Sequence, residues 1–180
     1  MDEQVNVLLN LANSLVPVEK LVTGAAYLLG ILFVMKAFIL MKEHGESRGQ
    51  NAGGFKEVVA YLFVGGLLVY FPSAFQMLMR TTFGYENALA YAPSGSNSTF
   101  ITALFAPGNE LGSSLAIIIQ LVGVISFVRG WILIVKASSG TQAAGGGGTG
   151  KGLTHVFGGI LAMNIIGTLQ VFSNTLYGAG

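Results

Sequence analysis

The chain has 180 residues, of which 52% are hydrophobic and only 9% charged, with a mean hydropathy of +0.67 and a formal net charge of +1. A soluble domain carries about 25% charged residues, so this balance argues for a membrane environment. The absence of cysteine removes disulfides, thiolate chemistry and Cys-ligated metal sites, and two histidines make a zinc site improbable.

Residues 1–20 begin Met-Asp-Glu-Gln, without the basic n-region of a secretory signal. Val5, Leu8, Leu9, Ala12, Leu15 and Val16 recur at helical spacing opposite Gln4, Asn6, Asn10 and Asn13. The pattern predicts an amphipathic helix at a membrane interface, with Pro17 bending the chain into the first span.

Four apolar runs follow, over residues 21–41, 58–79, 115–135 and 153–177. A helix rises about 1.5 Å per residue, so each run matches a hydrocarbon core about 30 Å thick. Pro72 is expected to kink the second run. The predicted fold is therefore all-α and integral to a membrane: four transmembrane helices as two tandem hairpins behind the amphipathic helix. In domain terms, residues 1–20 are the amphipathic helix, 21–79 the first hairpin and 115–180 the second. Between the hairpins, residues 80–114 form an extracytoplasmic interfacial segment, whose apolar patch at 100–106 is too short to span.

Lysines and arginines gather at one end of each hairpin. Lys36, Lys42, Arg48 and Lys56 flank the first link, and Arg129, Lys136 and Lys151 flank the second. The positive-inside rule puts both links in the cytoplasm and both termini outside. Glu43, Glu46 and Glu57 dilute the first link, but acids count little in that rule. The halves also match in order. An offset of 93 residues sets Gly30 on Gly123, Lys36 on Arg129 and Phe38 on Trp131. An offset of 94 sets Gly65 on Gly159, Gln76 on Gln170 and Thr81 on Thr175. This is the pattern of a parallel internal repeat.

Candidate chemistry is sparse. The segment 145–152 nearly spells a phosphate-binding loop, but Gly152 stands where Ser or Thr should hold magnesium, and no acid lies in the adjoining spans. A flexible turn is the expected reading. Glycines within the runs, Gly30, Gly65, Gly66, Gly123, Gly158 and Gly159, are expected to let helix backbones approach. Gly130 and Gly167 belong to the same group. Lys36 and Arg129 lie deep enough either to snorkel or to line a lumen. No span contains Asp or Glu, and no nucleophile–base constellation is legible, so neither an enzyme nor a resident cofactor is expected.

The stretch Phe127-Val-Arg-Gly-Trp-Ile-Leu, the link ending Gly150-Lys151-Gly152-Leu153-Thr154-His155, and Phe157-Gly-Gly-Ile-Leu-Ala-Met-Asn164 carry a resemblance. They resemble the small membrane proteins of type IVB secretion systems, the IcmC/DotE group and its TraQ-like relatives in IncI-type conjugative plasmids. The similarity is clearest over residues 115–177. In architecture the chain also resembles two fused copies of a type IV secretion pilin hairpin. These resemblances imply a structural subunit of a conjugation or secretion apparatus in the bacterial inner membrane, and its assembly into an extracellular filament. The implied partners are further copies of the chain, membrane lipid with bound phospholipid, other apparatus proteins, and DNA or protein cargo passing the basic links. A membrane-resident scaffold and a stand-alone channel or holin are the alternatives.

Overall fold

The computed structural model describes residues 2–46, 52–84, 110–140 and 148–177. Those residues are helical throughout, apart from short turns and breaks. In chain order the helices are α1 (Asp2–Glu46), α2 (Ala52–Val69), α3 (Phe71–Phe83), α4 (Glu110–Ser138), α5 (Gly148–Met163) and α6 (Ile165–Tyr177). The predicted all-α class holds. Two helices are long and apolar enough to cross a membrane, within Lys20–Glu46 and Ser114–Ser138, and up to four segments do so if each bent pair is one span.

Two differences from the sequence reading stand out. First, α1 is one continuous helix of 45 residues with Pro17 inside it. The amphipathic segment and the first span are thus one helix, with no break between them. Pro17 has no N–H, so one intrahelical bond is lost there, and its side chain is exposed. Second, the runs at 58–79 and 153–177 are not straight. α2 and α3 meet at 90° and α5 and α6 at 93°. Residues 85–109, most of the predicted interfacial segment, lie outside the described residues; its first few belong to the end of α3, which closes at Gly84 in a left-handed cap (φ 82°).

The two breaks fall at Tyr70 and Asn164, again 94 residues apart. Each break residue donates its N–H to the carbonyl four residues back, Gly66 at 3.0 Å and Ile160 at 3.3 Å. Each also accepts from the N–H four residues on, Ala74 at 2.8 Å and Thr168 at 2.9 Å. What differs is how the following helix is started. In the first hairpin Pro72 stands in the opening turn of α3, where a missing N–H costs nothing. No proline occurs in the second. There Asn164 Oδ1 accepts from Gly167 N–H at 3.1 Å, and the Thr168 hydroxyl donates to the Leu161 carbonyl at 2.8 Å, taking up an acceptor released by the break.

α1 packs along α2, and α4 along α5. The hairpins meet through α4, which touches both α1 and α2. Phe127 centres this joint. Its ring is edge-on to Phe71 at 5.8 Å and to Trp131 at 5.9 Å, while Trp131 meets Phe63 at 6.0 Å. Such T-shaped pairs set the positive ring edge against the negative face. Trp131 Nε1 is buried there without a hydrogen-bond partner among the described residues. Elsewhere the surface is apolar, with Leu28, Leu32, Phe38, Val122, Phe157 and Phe172 all exposed.

Spin labels at the exposed positions Leu153 and Leu176 test the second break. A straight helix separates the two backbones by about 35 Å, and a right-angled one by about 24 Å. Pulsed electron paramagnetic resonance of the labelled protein in lipid is expected to give the shorter distance.

Candidate functional site

The feature that organises the molecule is close contact between backbones at glycine. A Cβ added at Gly30 would lie 2.7 Å from Val69 N and 2.9 Å from Gly65 O, and one added at Gly65 would lie 3.0 Å from Gly30 O. The second hairpin repeats the arrangement. A Cβ at Gly123 would lie 2.6 Å from Met163 N and 2.9 Å from Gly159 O, and one at Gly159 would lie 2.7 Å from Phe127 N. Val69 and Met163, and Val34 and Phe127, are partners under the same offsets that align the sequence halves. Backbone atoms cannot swing aside as side chains do, so only hydrogen fits at these positions.

The second hairpin adds another such contact. A Cβ at Gly130 would stand 2.7 Å from Val156 N and 2.8 Å from Gly152 O, and one at Gly152 would stand 2.9 Å from Gly130 O. Ala37 and Val58, both buried, occupy the equivalent places in the first hairpin. Gly123 and Gly130 are seven residues apart, as are Gly152 and Gly159. A small residue every seventh position keeps one narrow seam facing its partner over several turns.

Four of the six predicted packing glycines, Gly30, Gly65, Gly123 and Gly159, lie in these seams. Gly66 and Gly158 do not: each faces open space, with nothing within 4 Å of an added Cβ. They are the outer members of Gly-Gly pairs, rotated about 100° around the helix from the buried member. Gly152 was hidden inside the loop-like motif at 145–152. Its seven-residue spacing from Gly159 is the signal that identifies it.

The predicted cations lie apart from the seams, on the surface. Lys36, Lys42, Lys56, Arg129, Lys136 and Lys151 are all exposed, and Arg48 lies outside the described residues. Lys42 Nζ is 3.8 Å from a Glu46 carboxylate oxygen, with both side chains largely in solvent, a pair worth little. Lys36 Nζ lies 5.2 Å from the centre of the Tyr61 ring, a cation–π contact between α1 and α2. At the matching level of the second hairpin, Ser126 Oγ donates to the His155 carbonyl at 3.2 Å. The His155 ring is turned toward Lys151, with Nδ1 2.8 Å from the Lys151 carbonyl. A carbonyl only accepts, so Nδ1 carries the proton.

Among the described residues, Ser114 and Gln120 on α4 and Asn164 and Thr168 at the bend of α5 and α6 are buried polar side chains. Among the described residues no group of three or more His, Asp or Glu side chains is placed to hold a metal ion. The arrangement favours close helix packing. Comparison of the chain with protein-family models, with curated proteins and with solved structures returns no match.

The seam predicts a sharp contrast between neighbouring glycines. Gly159→Ala and Gly123→Ala are each expected to destabilise the protein by about 1–3 kcal/mol through overpacking against backbone. Gly158→Ala and Gly66→Ala are expected to be neutral or to stabilise by up to about 1 kcal/mol, the helix preference for Ala. Unfolding in mixed detergent, followed by Trp131 fluorescence, reads the difference. Asn164→Ala is expected to cost about 1 kcal/mol as a lost cap.

Proposed function

We propose that this chain is a non-enzymatic structural subunit of a bacterial type IVB conjugation or secretion apparatus. It sits in the inner membrane and assembles with copies of itself into a conjugative filament. The supporting observation is the way one hairpin meets the other. α4 of the second hairpin packs on both α1 and α2 of the first, while α5 makes no comparable contact with α1. The joint is therefore heterologous, one face of a hairpin against a different face of its near-equivalent. The second hairpin of one copy can receive the first hairpin of the next in the same way. Heterologous contacts that do not close generate open filaments.

Membrane placement follows from lengths and charges. α2 rises about 27 Å and α5 about 24 Å, close to a hydrocarbon core of about 30 Å. Together with Lys20–Glu46 and Ser114–Ser138 they make four crossings, and α3 and α6 turn aside along the outer interface. The cationic links face the cytoplasm. The part of α1 before Lys20 then continues beyond the bilayer on the outer side, because 45 residues of helix rise about 68 Å. The exposed apolar faces are covered by lipid before assembly and by neighbouring subunits after it. Lys36, Lys42, Lys56, Arg129, Lys136 and Lys151, with Arg48, would then border a channel whose potential suits DNA or protein cargo. The resemblance of residues 115–177 to the IcmC/DotE and TraQ-like proteins supports the assignment to this apparatus.

Two measurements check the proposal. Filaments sheared from cells carrying the gene are expected to contain the protein and to be missing from a deletion strain by electron microscopy. Confinement of the protein to inner-membrane fractions would instead make it a resident scaffold, and ion leakage in liposomes holding this chain alone would make it a channel. Neutralising Lys36 and Arg129 together is expected to lower transfer by about tenfold or more while leaving assembly intact, since fields in charged clefts change encounter rates on that scale.

A further inference from the structure

The joint between the hairpins uses a face of α4 that α1 also carries and leaves open. Leu121, Val124 and Val128 are buried on α4, rotated about 100–160° around the helix from Gly123 and its seam with α5. α4 turns that side to α1 and α2. Under the 93-residue offset, Leu121 corresponds to Leu28 and Val128 to Met35. Leu121 and Val128 are each 8% exposed, whereas Leu28 is 61% and Met35 56% exposed. Trp131, packed edge-on to Phe63, corresponds to Phe38, which is exposed.

The receiving side shows the reverse mismatch. In the first hairpin Val22 and Leu29 of α1 pack against the core that the joint encloses. Their equivalents on α4, Leu115 and Val122, are exposed. Phe63 of α2 meets the Trp131 ring at 6.0 Å, and the 94-residue offset pairs it with Phe157 of α5, also exposed. Each hairpin therefore carries an inserting face and a receiving face. One chain uses the inserting face of α4 and the receiving face of α1 and α2. The inserting face of α1 and the receiving face of α4 and α5 stay open.

We propose that a second copy of this chain joins these two open faces in a fixed register. Leu28, Met35 and Phe38 of one copy seat on Leu115, Val122 and Phe157 of the next, with Phe38 against Phe157 as Trp131 is against Phe63. Lipid can cover any apolar surface, so exposure alone selects no partner. What selects this one is that the matching residues already hold two hairpins together within the chain. The contact between copies has one ring fewer, because Val34 stands where α4 has Phe127. Its register ends at Lys42, which stands where α4 has the buried Val135. Lys42 stays at the rim, largely in solvent beside Glu46. This placement rests on the heterologous joint of the function proposed above and gives it an address; it requires only copies side by side in one bilayer.

The sequence has no cysteine, so single thiols report cleanly. Two full-length variants with different affinity tags, Phe38→Cys and Phe157→Cys, are produced together, and the isolated membranes are treated with a short bismaleimide. A cross-linked dimer carrying both tags is expected. Neither variant produced alone should cross-link, because the faces are unlike and neither residue meets itself. Leu32→Cys in place of Phe38→Cys should give no dimer, since Leu32 and its equivalent Ile125 are both exposed. The double variant Phe63→Cys with Trp131→Cys calibrates the reach by closing a link inside the monomer. Closure there without the two-tag dimer would overturn the register, as would equal dimer yields from either variant alone or from Leu32→Cys. A two-tag dimer from cells that make no filaments would uphold the contact and remove the filament. Filaments whose copies do not cross-link at this pair would overturn the contact and uphold the filament.

Discussion

Contact between helix backbones at glycine is the constraint from which the remaining structure follows. Hydrocarbon surroundings withhold the hydrophobic driving force that holds helices together in water, so close dispersion contact and polar contacts must supply it. Gly123 with Gly159, and Gly130 with Gly152, bring α4 and α5 together over two full turns at distances no Cβ would permit. The first hairpin has one such contact, Gly30 with Gly65, and uses Ala37 at the next level. The second hairpin thus has two backbone contacts along its seam where the first has one.

Phe127 links that seam to the joint between hairpins. Its backbone forms the floor against which Gly159 packs, and its ring, 2% exposed, fills the space among Phe71 and Trp131. Val34 takes the backbone part of this role in the first hairpin, where a Cβ at Gly65 would lie 3.0 Å from Val34 N. No aromatic ring projects onward from that place. Two hairpins that agree in their internal contacts therefore differ in what they offer to a neighbour. That difference lets one dock on the other by unlike faces.

The bends show one geometry reached by different chemistry. Thr81 and Thr175 even make the same back-bond to the carbonyl four residues earlier, at 2.8 and 2.7 Å. Proline opens the helix after the first break, and an asparagine cap with a threonine hydroxyl opens the helix after the second. Proline is a loud signal in a sequence, and Asn-Ile-Ile-Gly-Thr inside an apolar run is a quiet one. A buried backbone group without a partner costs on the order of 1–3 kcal/mol; Asn164 satisfies a donor, the Gly167 N–H, and Thr168 an acceptor, the Leu161 carbonyl, so the second bend uses both side chains.

The sequence by itself determined the helical class, the apolar segments, the clustering of cations at the links and the correspondence between halves. Each of these follows from local periodicity or from counting, and neither depends on distant neighbours. It also pointed to Gly30, Gly65, Gly123 and Gly159, since glycine inside an apolar helix has few other uses. Only the tertiary structure decided which glycine of each Gly-Gly pair is buried, because helix rotation is set by the partner. The spacing of Gly152 from Gly159 stands in the sequence, but that Gly152 meets a backbone is decided by Gly130 opposite it. A helix that runs on through Pro17 and one that breaks at Asn164 reverse the local expectation for the same reason. A break persists where surrounding contacts satisfy the freed backbone groups, and those contacts come from other turns and other helices.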